Sequence, residues 1–154
     1  MQTTRTDWTI FWRQLTYIMK EYPDLYDNSE EFEEMMTILE GEGDSGSFYE
    51  TLTPEVRRQW IAWIKDWREL LKASKLDGKE VYESMRTTNP KFVLREWMLV
   101  DAYTSADDED YTILNELHDL IQRPYDEGSA TETKAYYRRA PESASARGGT
   151  AFMS

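Results

Sequence analysis

His118 is the chain's only imidazole and no cysteine accompanies it, so any nucleophilic or acid–base chemistry would rest on one ring, carboxylates and hydroxyls. The ring lies among Leu114, Leu117 and Ile121 at helical spacing with no convergent partner, and it reads as structural or solvent-facing rather than as a base or ligand. The densest oxygen donors are Glu30, Glu31, Glu33 and Glu34, and the run Asp107-Asp108-Glu109-Asp110. A calcium loop needs alternating donors and a glycine at its tight turn; neither run has them, and both read as solvated faces or as acids at helix N-termini. Gly41, Gly43 and Gly46 stand in an acidic loop with no following basic residue, a setting that repels phosphate, so neither a P-loop nor a kinase glycine loop is present. Arg57-Arg58 and Arg138-Arg139 are isolated basic pairs and read as surface charges. Trp60, Trp63 and Trp67 are numerous enough to stack bases, but they repeat at helical spacing beside Ile61 and Ile64 in an acidic chain. That pattern points to packing, in a core or against another surface.

The bulk properties agree. Thirty acidic residues against 18 basic give a net charge of −12, which opposes nucleic acid or an anionic membrane as main partner. Without cysteine there is no disulfide, thiolate nucleophile or Cys-ligated zinc, and the compartment is not readable from redox chemistry. No secretory-type leader and no apolar run of membrane-spanning length is visible. At 154 residues the chain can bury a core, and six Trp, ten Tyr and five Phe supply the apolar area.

The elements that must position these residues are all helical; no stretch alternates in the manner of a strand. A helix is predicted from Trp8 to Lys20, capped by Thr6 or Asp7, with Trp8, Phe11, Trp12, Leu15, Ile18 and Met19 on one broad face, and Pro23 ends it. An acidic helix follows from Ser29 to Leu39, then a flexible loop through the three glycines. Thr53-Pro54-Glu55 combines a cap, a first-turn proline and an acid, and opens a helix reaching Ser74, with Val56, Trp60, Ile61, Trp63, Ile64, Trp67, Leu70 and Leu71 facing a partner surface. A short helix spans Glu80 to Met85. Asn89 as cap and Pro90 as first residue are expected to begin another, with Val93, Leu94, Trp97 and Met98 inward and Lys91, Arg95 and Glu96 nearer water. The acidic run at 107–110 should start the last helix, with Tyr111, Leu114, Leu117 and Ile121 inward and Pro124 at its end. The expected architecture is all-α, five or six helices over residues 1–127, with 128–154 a flexible tail or one that needs a surface to dock on.

Four blocks in order carry a resemblance to the selenoprotein O family. Met1, Thr4 and the run Thr6 to Leu15 resemble its M…T..D(Y/F)T..FR.L helix, and Asn89-Pro90-Lys91-Phe92-Val93-Leu94-Arg95 resembles its NP(K/A)x(V/I)LR segment. Leu114 to Leu120 with Arg123-Pro124-Tyr125-Asp126-Glu127 resembles its L…L..PYDE segment, and Gly149 to Ser154 the run before its C-terminal cysteine or selenocysteine. The match covers the last part of that family only. It implies the helical C-terminal region of a protein-kinase-like fold, in an enzyme that binds ATP with magnesium and transfers AMP to Ser, Thr or Tyr hydroxyls of proteins.

The family's nucleotide-binding lysine and its catalytic and metal-binding aspartates would precede Met1, so the resemblance places no catalytic, cofactor or metal residue on this chain. Met1 falls where the family has an internal methionine, as a truncated gene model or artificial start would. The chain stops at Ser154, where the family continues into its cysteine-bearing tail. The expected role is support of a kinase-like core through Trp60, Trp63, Trp67 and Trp97, without activity of the chain alone; the partners implied are that core and the enzyme's protein substrates. A free-standing helical interaction module, dimerising through Trp60, Trp63 and Trp67, is the alternative. The resemblance implies the mitochondrion for a eukaryotic member and the cytoplasm for a bacterial one.

Overall fold

Asp7 accepts a hydrogen bond from the Ile10 amide at 3.1 Å and so begins α1, Trp8–Glu21, where the sequence places it. The structure, a computed structural model, describes residues 4–25 and 31–141. Among these residues six further α-helices follow: α2 Glu31–Glu40, α3 Pro54–Ala73, α4 Gly78–Thr88, α5 Glu96–Asp107, α6 Thr112–Ile121 and α7 Ala130–Tyr136. The chain is all-α, with one isolated β-bridge, Thr6 to Phe48, among the described residues. It divides into two compact units, Met1–Asn89 and Pro90–Ser154.

In the first unit α1 packs against α2 and α4, and α2 against α3. Phe11, Leu15 and Ile18 meet Phe32, Met35, Met36 and Leu39 of α2, Phe48 of the following loop, and Trp60 and Ile64 of α3. The expected single broad face of α1 is only partly found. Trp8 is exposed, whereas Arg13, Gln14 and Thr16 are buried with the apolar residues, because the helix is covered on several sides and each polar group finds an oxygen or a donor.

The proposed Ser29 start of α2 lies outside the described residues. The glycine loop, expected to be flexible, is tied down. Gly41 adopts a left-handed φ of 57° that suits glycine, Gln14 Nε2 donates to the Ser45 carbonyl at 3.0 Å, and the Ser47 hydroxyl donates to Gln14 Oε1. Asp7 receives a further hydrogen bond from Tyr49, and its own amide donates to the Ser47 carbonyl.

Thr53 caps α3 by accepting from the Val56 amide, with Pro54 in the first turn as predicted. Asp77 and Glu80 form a reciprocal capping box that starts α4 two residues before the predicted Glu80.

The second unit opens on the largest departure from expectation. Asn89 does not cap a helix beginning at Pro90; its amide donates to the Met85 carbonyl at 2.8 Å and closes α4. The residue before a proline is pushed out of the helical region, and Asn89 sits at φ −99°, ψ 99°, so the proline ends one helix rather than starting the next. The Lys91 and Phe92 amides both donate to the Pro124 carbonyl, at 2.8 and 3.1 Å, and the stretch is not helical until α5 begins at Glu96. Burial changes with it: Lys91, Phe92 and Arg95 are buried and Leu94 is exposed, the reverse of the helical expectation for the two cations and the leucine.

Trp97, Met98 and Ala102 of α5 pack with Leu117 of α6, and Ile113, Tyr136 and Ala140 lean on that cluster. On α6 the inward residues are Leu117 and Leu120, while Tyr111 and Leu114, expected inside, are exposed. Gly128 is followed by α7, whose capping box pairs Ser129 with Glu132, and Tyr137 behind it is buried. Residues 142–154 of the expected tail lie outside the described residues.

Candidate interaction surface

His118 is exposed, as a solvent-facing ring, with Gln122 Nε2 3.2 Å from Nδ1 and the Asp119 carboxylate 3.6 Å away. Of the acidic run in α2, Glu33 pairs with Arg57 on α3, which also donates to Glu40 at 2.9 Å; these carboxylates hold the guanidinium firmly protonated. Glu34 accepts from the Tyr22 hydroxyl at 2.7 Å, and this bond pushes the phenol up to about 12. Glu30 lies outside the described residues. Asp110 accepts from the Thr112 amide at 2.9 Å and is held below the ordinary aspartate range by its hydrogen bonds to Thr112. Among the described residues no three His, Asp or Glu side chains converge to hold a metal ion. No described helix is long and apolar enough to cross a membrane.

The aromatic residues do converge. Phe11 lies at the centre, 5.6 Å from Trp12, 5.3 Å from Trp60 and 5.5 Å from Trp63 between ring centroids. Trp8 extends the set along α1, 5.5 Å from Trp12 and edge-on to it; Trp67 extends it along α3, stacked on Trp63 at 6.2 Å. Trp60 closes the core against Phe48 at 5.2 Å. The series therefore runs from a buried ring to the surface: Trp60 is buried, Trp67 half-buried, Trp63 36% exposed and Trp8 62% exposed, with Leu70 further along α3 at 71%. Edge-to-face and offset rings fix one another's orientation, so the exposed members form a preset apolar surface. Of the three tryptophans predicted on α3, one is core and two reach this surface; Trp8 is the member the sequence reading had turned inward.

Trp97 belongs to the second unit. It is 7% exposed, with the Arg138 guanidinium 4.4 Å above its ring. Arg138, read as a surface charge, is half-buried there.

Two arginines are interior. Arg13 and Arg68 are the largest fully buried side chains. Arg13 donates to the carbonyls of Arg86 and Asn89, at 3.2 and 2.9 Å, and so caps the C-terminal end of α4. Arg68 does the same beyond α1, donating to the Tyr22 carbonyl at 3.1 Å and to that of Asp24. Their charges meet the negative ends of two helices. The signal available in sequence was an arginine within each apolar helix face.

The described residues thus define an all-α chain with a cluster of tryptophans that runs from its core to its surface. No protein-family model matches the chain. Among curated proteins it is similar to the protein nucleotidyltransferase YdiU of Flavobacterium johnsoniae, with 32% identity over 156 residues, all of this chain and 27% of the relative. Those of Methylobacillus flagellatus and Rhodopirellula baltica are each 28% identical and again match the whole chain, over 26% and 28% of their own lengths. The chain belongs to the selenoprotein O (YdiU) family and spans about a quarter of the length of these relatives.

Proposed function

We propose that the chain is the C-terminal helical region of a selenoprotein O type protein adenylyltransferase, an enzyme that transfers AMP from ATP, with magnesium, to Ser, Thr or Tyr hydroxyls of other proteins. Its own part is to support the kinase-like core of that enzyme through the aromatic surface of α1 and α3. The observation that carries this reading is the end-to-end match to about a quarter of longer nucleotidyltransferases, in a chain that leaves Trp8, Trp63 and Leu70 exposed on one unit. An apolar surface of several rings is unusual on a self-sufficient domain and ordinary on a piece of a larger one. Bacterial relatives make the cytoplasm the expected compartment.

The test is to purify the chain, add the remainder of the Flavobacterium johnsoniae relative in trans, and measure AMP transfer from ATP to protein. No transfer by either part alone and transfer on mixing is the expected result. If the remainder neither binds the chain nor gains activity, and the chain instead forms a stable homodimer lost on Trp63→Ser, the independent interaction module is the correct reading.

A further inference from the structure

The Lys91 ammonium is 7% exposed and donates to oxygens C-terminal to α6, among them the Glu127 carbonyl at 2.6 Å, Glu127 Oε2 at 3.2 Å and Thr133 Oγ1 at 3.0 Å. The rings of Phe92 and Tyr137 flank it, with centroids 5.5 and 5.3 Å away. One buried cation therefore gathers the turn before α7, α7 itself and the tyrosine after it.

What it gathers is otherwise held by polar contacts, the Arg123–Glu132 ion pair among them, and by the Trp97 cluster. Helix α7 has seven residues, none of them buried, and a helix that short does not persist unless docked. At the end of α7 and after it, Tyr136 and Ala140 lie on the Trp97 cluster, Tyr136 donates to Glu116 at 2.8 Å, and Arg138 covers the Trp97 ring. This covering costs something at Trp97: its indole N–H is buried and finds no hydrogen-bond partner among the described residues.

We propose that the segment from Gly128 to Ala140 is a clasp on the second unit, latched by Lys91, which opens as one cooperative piece while α5 and α6 stay folded. Opening exchanges the Lys91 bonds for water and frees the Trp97 indole to meet an acceptor, so the open state is a local excursion rather than global unfolding. In the open state Phe92 and Trp97 become accessible together.

Hydrogen–deuterium exchange of the full chain, read by mass spectrometry, tests this. The Thr133 and Tyr137 amides, bonded to Ser129 and Thr133 carbonyls, report the clasp. In Lys91→Met they are expected to exchange about tenfold faster or more, with amides of α5 and α6 unchanged and Lys91→Arg restoring part of the protection. Unchanged protection of α7 in Lys91→Met would remove Lys91 as the latch. Should Lys91→Met not fold, exchange of the unaltered chain in low denaturant decides: α7 opening at lower denaturant than α5 and α6 supports the clasp, and a common opening overturns it.

Discussion

Arg13 and Arg68 show how backbone carbonyls help settle a buried charge. Each guanidinium donates to two backbone oxygens at or just past a helix end, where the last carbonyls have no intrahelical donor. Replacing Arg68 by Met keeps the volume and removes the donors; it is expected to lower stability by about 2–4 kcal/mol in denaturant unfolding, since bonds to a charged group are worth more than neutral ones. An effect near zero would mean that water replaces the guanidinium. Glu132 offers a prediction in pH. Hydrogen bonds from the Ser129 amide and hydroxyl, helped by Arg123, hold its carboxyl below the ordinary 4.5. A carboxylate with a depressed folded pKa contributes stability that is complete above its unfolded value and is lost as pH falls through the folded value. The start of α7 should therefore loosen below pH 4.5, and Glu132→Gln should abolish that dependence in amide exchange followed against pH.

At the scale of elements, starts were easier to read than faces. Thr53 and Asp7 cap where expected because a cap is a local arrangement, settled within three residues. Thr53→Ala should cost about 1 kcal/mol in thermal or denaturant unfolding. Gly46 tests the loop that was not legible as ordered. A Cβ there would fall on the Glu40 carbonyl oxygen, so Gly46→Ala should cost about 1–3 kcal/mol, at least as much as losing the cap. The Asn89-Pro90 pair is ambiguous for a related reason. The same two residues suit a helix end as well as a helix start, and the choice lay with Pro124, 34 residues on, whose carbonyl takes the Lys91 and Phe92 amides. Nothing within a local window contains that acceptor.

At the scale of the molecule, the exposed rings are where the proposed function can be tested. Trp8 is mostly in water and touches chiefly Trp12, so Trp8→Ser should change the stability of the chain by no more than about 0.5–1 kcal/mol. On the function proposed above, the same change should weaken association with the remainder of a family member tenfold or more, as truncation of an aromatic anchor does, measured by calorimetric titration. Equal binding by both proteins would place the contact elsewhere.

The amino-acid sequence by itself determined the helical class, the first and third helices with their caps, the gathering of tryptophans on α3, and the family, because each is written in short-range spacing or in ordered blocks. It did not determine which tryptophan is core and which is surface, since α1 and α3 each carry more apolar residues than one face can bury, and only the packing partner selects among them. Nor did it determine that Arg13, Arg68 and Lys91 are interior. A charge goes inside only when acceptors arrive from elsewhere in the chain, as the carbonyls of Asn89, Tyr22 and Glu127 do, and that meeting exists only in the folded structure.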